Sequence, residues 1–485
     1  MKPFIAAWFD MPGLARNFAY GFAEKYLLVL LALAGSMLLA RLLSPAELGV
    51  FAIASVLTGL AQVFRDLGTG QLLVLQPVLG QREQRALLTL AILTGWALAA
   101  LLAALATPLA RFYRQPVLAE VLYILALNFL LVPFSSQVTA LLRREMRAAS
   151  LFRISACYGV TQFIATVGLA AAGLGPCALA WGSFAATSAG CGAALLLRPS
   201  GMAFRPALSG VWGLVRPGGL AVSGNAIDEV GVVAPDLVAG KLLGAEEVAL
   251  LGKAQSVLSL FNQAITSAVS PVVFPLFARH AREGNDPVQT YVNAAACITA
   301  LSWPFFLLAG LFAAQLVHLL YGPQWQGSVP LIRIMCGAAA LYSMFSMVRY
   351  LLLATGHIGA QARLDAVAVG GRLLMLLPAG MAGLHWMAAA VALSLAFRSW
   401  LVLRILKRLY RVQAAALFWQ MRKSAVVACA ALVPASLAYA LAGGDAGGLP
   451  MLLTGSASAA VGWALALWLQ QHPLAAFVRT SVLQR

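Results

Sequence analysis

Charge is scarce in this chain. Charged residues make up 10% of its 485 positions and only 16 are acidic, whereas soluble domains are about a quarter charged. A surface with so little charge does not keep a chain of this length in water, which excludes an ordinary soluble enzyme. Cysteine is sparse as well. Cys157, Cys177, Cys191, Cys297, Cys336 and Cys429 fall singly inside apolar runs with no C-x-x-C spacing, so they read as small packing residues and not as disulfides or a metal site. The five histidines are scattered, and Gly252-Lys253 is followed by Ala254 with no glycine five positions earlier. There is thus no Walker pattern to cradle a nucleotide. Long polar connections are missing too: Gly173-Leu174-Gly175-Pro176 and Tyr321-Gly322-Pro323-Gln324-Trp325 leave no room for the catalytic domain of a membrane glycosyltransferase or sugar polymerase.

What the chain has in abundance is apolar length. Hydrophobic residues reach 61% and the mean hydropathy is +0.86, which predicts an all-α polytopic membrane protein. Spans of about 20 apolar residues can be placed about fourteen times. Six fall between Ala19 and Leu197, six between Val215 and Leu403, and two between Ser424 and Leu469. The expected organisation is an N-terminal lobe over 1–197, a cytoplasmic loop over 198–214, a C-terminal lobe over 215–403, a basic linker over 404–423, and two further spans with a tail over 424–485. Residues 2–9 are too short an apolar run for a signal peptide and Asp10 interrupts them. The segment from Met1 to Arg16 is expected to lie at the cytoplasmic interface of the membrane, with Trp8 and Arg16 as anchors.

The two lobes share a loose repeat. Leu42, Leu43 and Glu47 match Leu242, Leu243 and Glu247 without a gap, Arg41 becomes Lys241, and both copies join long apolar runs. Six helices per repeat bring both lobes into the membrane from the same side, so an axis along the membrane normal is expected to relate them. Among the loop bases only Arg41, Arg111, Arg114 and Lys241 fall on one side of this map; the others, from Lys2 to Arg485, fall on the opposite side. That side is expected to be cytoplasmic and to hold both termini. The same placement disperses the net charge of +17 along alternate loops and removes the case for a nucleic-acid partner.

Ionisable groups inside spans cost several kcal/mol unless they face a cavity or a partner. Lys253, Arg333 and Arg372 all belong to the second lobe and are expected to line one cavity, where cations suit an anionic substrate and arginine suits bidentate phosphate binding. Lys25 and Asn225 are placed with them as substrate-binding residues. The span around Asn225 carries Asp228, Glu229 and Asp236 in a helix expected to break at Gly224, Gly231 and Pro235. These three acids, with Asp66, are placed as ion-coupling or gating residues. Asp236 is expected to pair with Lys253 and Lys25 with Asp66, while Arg349 and Arg398 lie close enough to the inner membrane face to snorkel out.

The run Arg41-Leu42-Leu43-Ser44-Pro45-Ala46-Glu47-Leu48-Gly49, followed by Asp66-Leu67-Gly68, resembles the polysaccharide-transporter (Wzx-like) branch of the multidrug/oligosaccharidyl-lipid/polysaccharide (MOP) exporter superfamily. The likeness in layout covers nearly the whole chain; the likeness in motif is confined to about Arg41 to Gln76. It implies a flippase that carries undecaprenyl-diphosphate-linked oligosaccharide repeat units across the bacterial inner membrane by alternating access around a cationic cavity, for exopolysaccharide, capsule or O-antigen export. It also implies a lipid-linked oligosaccharide substrate, no cofactor, a proton or sodium ion for coupling, and a polymerase and a chain-length regulator as partners. The alternative is a cation-coupled multidrug exporter of the same fold, with Asp228 and Glu229 holding the proton or drug. The surplus of bases in the spans argues against it.

Overall fold

The computed structural model of the chain describes residues 14–66, 80–199, 202, 206–207, 229–263, 273, 276–277, 279–280, 283, 287–441, 443 and 448–475. All regular structure among the described residues is helical, and 12 helices there are long and apolar enough to cross a membrane. The two other expected spans, Val215 to Leu243 and Glu246 to Phe277, are described over 229–242 and Ala245–Phe261. The protein is therefore an all-α, multi-pass membrane protein. Large apolar side chains such as Ile164, Leu374 and Met381 are 64%, 74% and 83% exposed, which suits contact with lipid.

The chain divides into two compact units, Met1–Val233 with Gly244–Glu246, and Ala234–Leu243 with Glu247–Arg485. The first contains α1 (Leu14–Leu42), α2 (Pro45–Asp66), α3 (Gln81–Tyr113), α4 (Val117–Arg144), α5 (Ala148–Ala171) and α6 (Pro176–Leu196). Helix α4 packs against α2, α3 and α6, and α5 against α1 and α6. Small residues permit the close crossings: a Cβ on Gly182 of α6 would run into the Thr166 side chain of α5, and one on Gly95 of α3 would meet the Pro133 ring of α4.

The motif at the head of α2 has a local physical cause. Ser44 donates its backbone N–H and its hydroxyl to Glu47 Oε2, both at 2.8 Å, and Glu47 N–H donates back to Ser44 Oγ at 3.3 Å. This is a capping box with proline at the first helical position, and it satisfies backbone groups that the helix start leaves open. In the second copy Gly244 stands where the serine was, at φ +130°, a backbone conformation that glycine adopts without strain.

Helix α7, described over 229–242, begins in the first unit and passes into the second at Ala234, and α8 (Ala245–Phe261) belongs to the second from Glu247 onward. The second unit continues with α9 (Pro287–Leu311), α10 (Ala313–Leu320), a 3-10 turn (Pro323–Ser328), α11 (Val329–Ser343), α12 (Val348–Ala354), α13 (Ile358–Ala382), α14 (Leu384–Tyr410), α15 (Ala414–Gln420), α16 (Arg422–Leu441) and α17 (Gly448–Leu469). One expectation needs correction: helix α7 runs through Gly231 and Pro235 without a break, while Gly224 lies outside the described residues. The span expected from Ser328 to Leu353 falls within one candidate span over Pro323–Ala354, whose helix gives way to turns over 344–347, between α11 and α12, where the buried Tyr291 hydroxyl donates to the Met344 carbonyl at 3.1 Å. An acceptor freed inside a membrane needs such a donor.

The last two spans dock onto α9. The Phe312 ring, next to its end, enters a core with Ala431, Ala435 and Met451, and Gly455 leaves room for that ring. Trp463 Nε1 donates to the Ala300 carbonyl at 2.8 Å. Beyond α17, His472 is fully buried. Leu474 N–H donates to its Nδ1 at 3.1 Å, so Nε2 carries the proton and meets Ser424 Oγ at 3.1 Å; Ser424 in turn donates to the Ala296 carbonyl at 3.1 Å. Burial, then the nearby Lys423 charge, pushes the His472 pKa down to about 4 from 6.5. The unfolded chain thus takes up this proton first, and the stability linked to His472 is full above about pH 6.5 and lost progressively as pH falls toward 4. In detergent, the thermal midpoint should fall between pH 7 and pH 5 more steeply for the parent than for His472→Gln. Parallel slopes would remove His472 from the pH response.

Candidate functional site

Five elements of the second unit, α8, α9, α11, α13 and α14, line a cavity of about 200 Å³. Its polar lining includes Gln255, Asn262, Tyr342 and Arg372, set among Phe261, Phe306 and Met335. The Nε of Arg372 is buried without a hydrogen-bond partner among the described residues. Asp236 lies within electrostatic reach of that guanidinium and accepts a hydrogen bond from Gln255 Nε2 at 3.0 Å. Gln255 therefore touches the cavity on one side and tethers the acid on the other.

A second basic group is already neutralised. Arg398 Nη2 of α14 meets Asp365 Oδ1 of α13 at 2.6 Å, and Gln361 Nε2 donates to the other carboxylate oxygen at 2.7 Å. The Arg398 guanidinium also lies 5.9 Å from the centre of the Tyr342 ring. Arg398 is thus an ion-pair partner and not the snorkelling residue that its depth suggests. The pairing leaves Arg372 as the guanidinium that lines the cavity.

The other expected site residues are distributed differently. Lys253 of α8 sits over the Tyr321 and Trp325 rings, 4.4 and 5.1 Å from their centres, a cation–π arrangement. The pair expected between Lys253 and Asp236 is replaced by the Gln255 bond. Arg333 is exposed on α11. The cavity lining contains Arg372 but neither Lys253 nor Arg333, so the structure does not gather the three bases around that space. Glu229 is half-buried at the start of the described part of α7. Asn225 and Asp228 lie outside the described residues, and so does the side chain of Asp66; the expected Lys25–Asp66 pair therefore falls there too. Lys25 is half-buried on α1, and its neighbour Glu24 accepts the Ser155 hydroxyl at 2.6 Å.

Sequence reasoning overlooked the Asp365–Arg398 pair, although its signal was present. The two residues lie at similar distances on either side of the Gly383 turn, in consecutive helices, and so come to similar depth when the hairpin closes. The Gln255–Asp236 bond had no comparable signal, since polar residues on α8 also serve as helix glue.

Comparison with known proteins agrees with this architecture. The polysaccharide biosynthesis protein family matches residues 38–330. Teichuronic acid biosynthesis protein TuaB of Bacillus subtilis (strain 168) is 24% identical over 315 residues, which cover 62% of this chain and 62% of that protein; the match spans less than two thirds of that relative's length. Lipopolysaccharide biosynthesis protein WzxC of Escherichia coli (strain K12) is 21% identical over 374 residues, 76% of this chain and 74% of that one. Among solved structures, the lipid II flippase MurJ in its inward closed conformation superposes with a TM-score of 0.75 at 11% identity, over 93% of this chain and 99% of that one. An inward-facing MATE family transporter of the MOP superfamily gives 0.61 at 15% identity, over 80% and 96%. These two structures share the fold of this chain.

Proposed function

We propose a function from one premise: this chain belongs to the polysaccharide biosynthesis protein family. It is a transporter and not an enzyme, and it flips undecaprenyl-diphosphate-linked oligosaccharide repeat units across the bacterial inner membrane for surface polysaccharide export. The MOP fold supports this reading, as do relatives named for teichuronic acid and lipopolysaccharide biosynthesis. The observation that carries it is Arg372. A guanidinium inside a membrane span is expensive unless it meets a partner, and this one brings a buried, unbonded Nε to a polar cavity. A diphosphate head group supplies the paired acceptor oxygens that such a fork binds. Asp236, held by Gln255 within electrostatic reach of that guanidinium, supports a role in sensing its occupancy, and with Asp228 and Glu229 it is assigned to the coupling of a proton or sodium ion. A polymerase and a chain-length regulator act on the flipped product.

The direct test is reconstitution in vesicles with a lipid-linked oligosaccharide, read by its accessibility to a sugar-modifying enzyme added outside. Translocation by the parent chain and none by protein-free vesicles is expected; equal rates would end the flippase reading. Orientation has its own test. In a background without native thiols, Leu174→Cys in the α5–α6 turn should react with an impermeant maleimide added from the periplasmic side, while Met146→Cys in the α4–α5 turn stays protected. The reverse pattern would place the termini outside.

A further inference from the structure

A second cavity, of about 310 Å³, lies wholly within the first unit among α1, α2, α4, α5 and α6. We propose that it seats a single sugar ring of the transported glycan, held by oxygen acceptors along α4 and α5. This deepens the flippase reading and rests on it for the origin of the sugar. The volume is roughly ten times the share of one water in the liquid, which is room enough for one ring.

The chemistry of the wall points to a polyol. Ser135 donates to the Val132 carbonyl at 3.1 Å, Thr139 to Ser136 at 2.9 Å and Ser155 to Glu24 at 2.6 Å. With those protons engaged, the lining hydroxyl oxygens act as acceptors toward the cavity. Asn128 adds a buried Oδ1 with no hydrogen-bond partner among the described residues. An orphan acceptor of this kind is costly in a membrane interior unless a ligand or water brings a donor. Sugar hydroxyls donate as well as accept, and the Tyr158 side chain on the same wall offers a ring against which a pyranose face packs. Two other ligand classes fit less well. Arg65 lines the cavity and stands 5.8 Å from the centre of the Phe129 ring, and its charge opposes a metal cation among the oxygens. An apolar drug would leave the Asn128 oxygen unsatisfied.

The test uses purified chain in lipid nanodiscs and saturation-transfer NMR with methyl glucoside as the probe. Transfer to the ring protons is expected for the parent chain, and Asn128→Leu should weaken binding about tenfold, the effect of losing one well-made hydrogen bond. Thr139→Val, nearly isosteric, repeats the measurement if the first variant folds poorly. In a variant that keeps only Cys191, which lines the same cavity, methyl glucoside should slow alkylation of the thiol. Equal transfer in parent and both variants, unprotected Cys191, or displacement of the sugar by sodium phosphate would overturn the proposal. Because the assay needs no transport, sugar binding without translocation would count against the flippase reading alone, and translocation without sugar binding against this seat alone.

Discussion

Arg372→Ala is expected to stop polysaccharide export while the protein still reaches the membrane at parental levels. The substitution removes a charge-assisted fork, and each hydrogen bond to a charged group contributes about 1.5–3 kcal/mol net. Two lost bonds to a diphosphate correspond to a fall of about a hundredfold or more in transport. Arg372→Lys keeps the charge but not the planar fork and should recover only part of the rate. Arg333→Ala is the internal control, because Arg333 is exposed on α11 and outside the cavity lining; most of the parental rate should remain. The measurement is polymer at the cell surface together with initial rates in vesicles. Parental transport by Arg372→Ala would remove the cavity from the substrate path.

A loss of stability is expected from the neighbouring pair. Asp365→Ala leaves Arg398 without its carboxylate in a setting where the acid is 9% and the base 25% exposed. Breaking a buried pair from one side costs about 3–5 kcal/mol. The partial exposure of Arg398 screens part of that, so the lower end is expected. Gln361 loses its acceptor as well. Protein level and thermal midpoint in detergent should drop together. The double variant Asp365→Leu/Arg398→Met removes both charges and should recover much of the loss, since an apolar pair of similar volume is often as stable as the ion pair it replaces. If the double variant is no more stable than Asp365→Ala, packing and not the stranded charge is the cause.

The sequence by itself determined the class of molecule. Hydrophobic length and the low charge count set the spans, because a membrane interior admits only backbone that bonds to itself. The motif at Ser44-Pro45-Ala46-Glu47 was legible as a helix start for the same local reason: its donors and acceptors lie three residues apart. What failed was pairing between elements. Equal depth suggested Lys253 with Asp236, yet depth is one coordinate, and the rotation of α8 turns Gln255 toward the acid and Lys253 toward Tyr321 and Trp325.

Tertiary structure alone decided the rest. It placed Asp365 against Arg398, interrupted the helix after Ser343 under the Tyr291 hydroxyl, and docked the last two helices on Phe312 and His472. The same packing left Arg372 at one cavity and Asn128 at another. Hydropathy is a sum along the chain and survives any arrangement of helices. A hydrogen bond or an ion pair needs two side chains within about 3 Å, and which two meet depends on the rotation and crossing of helices far apart in sequence.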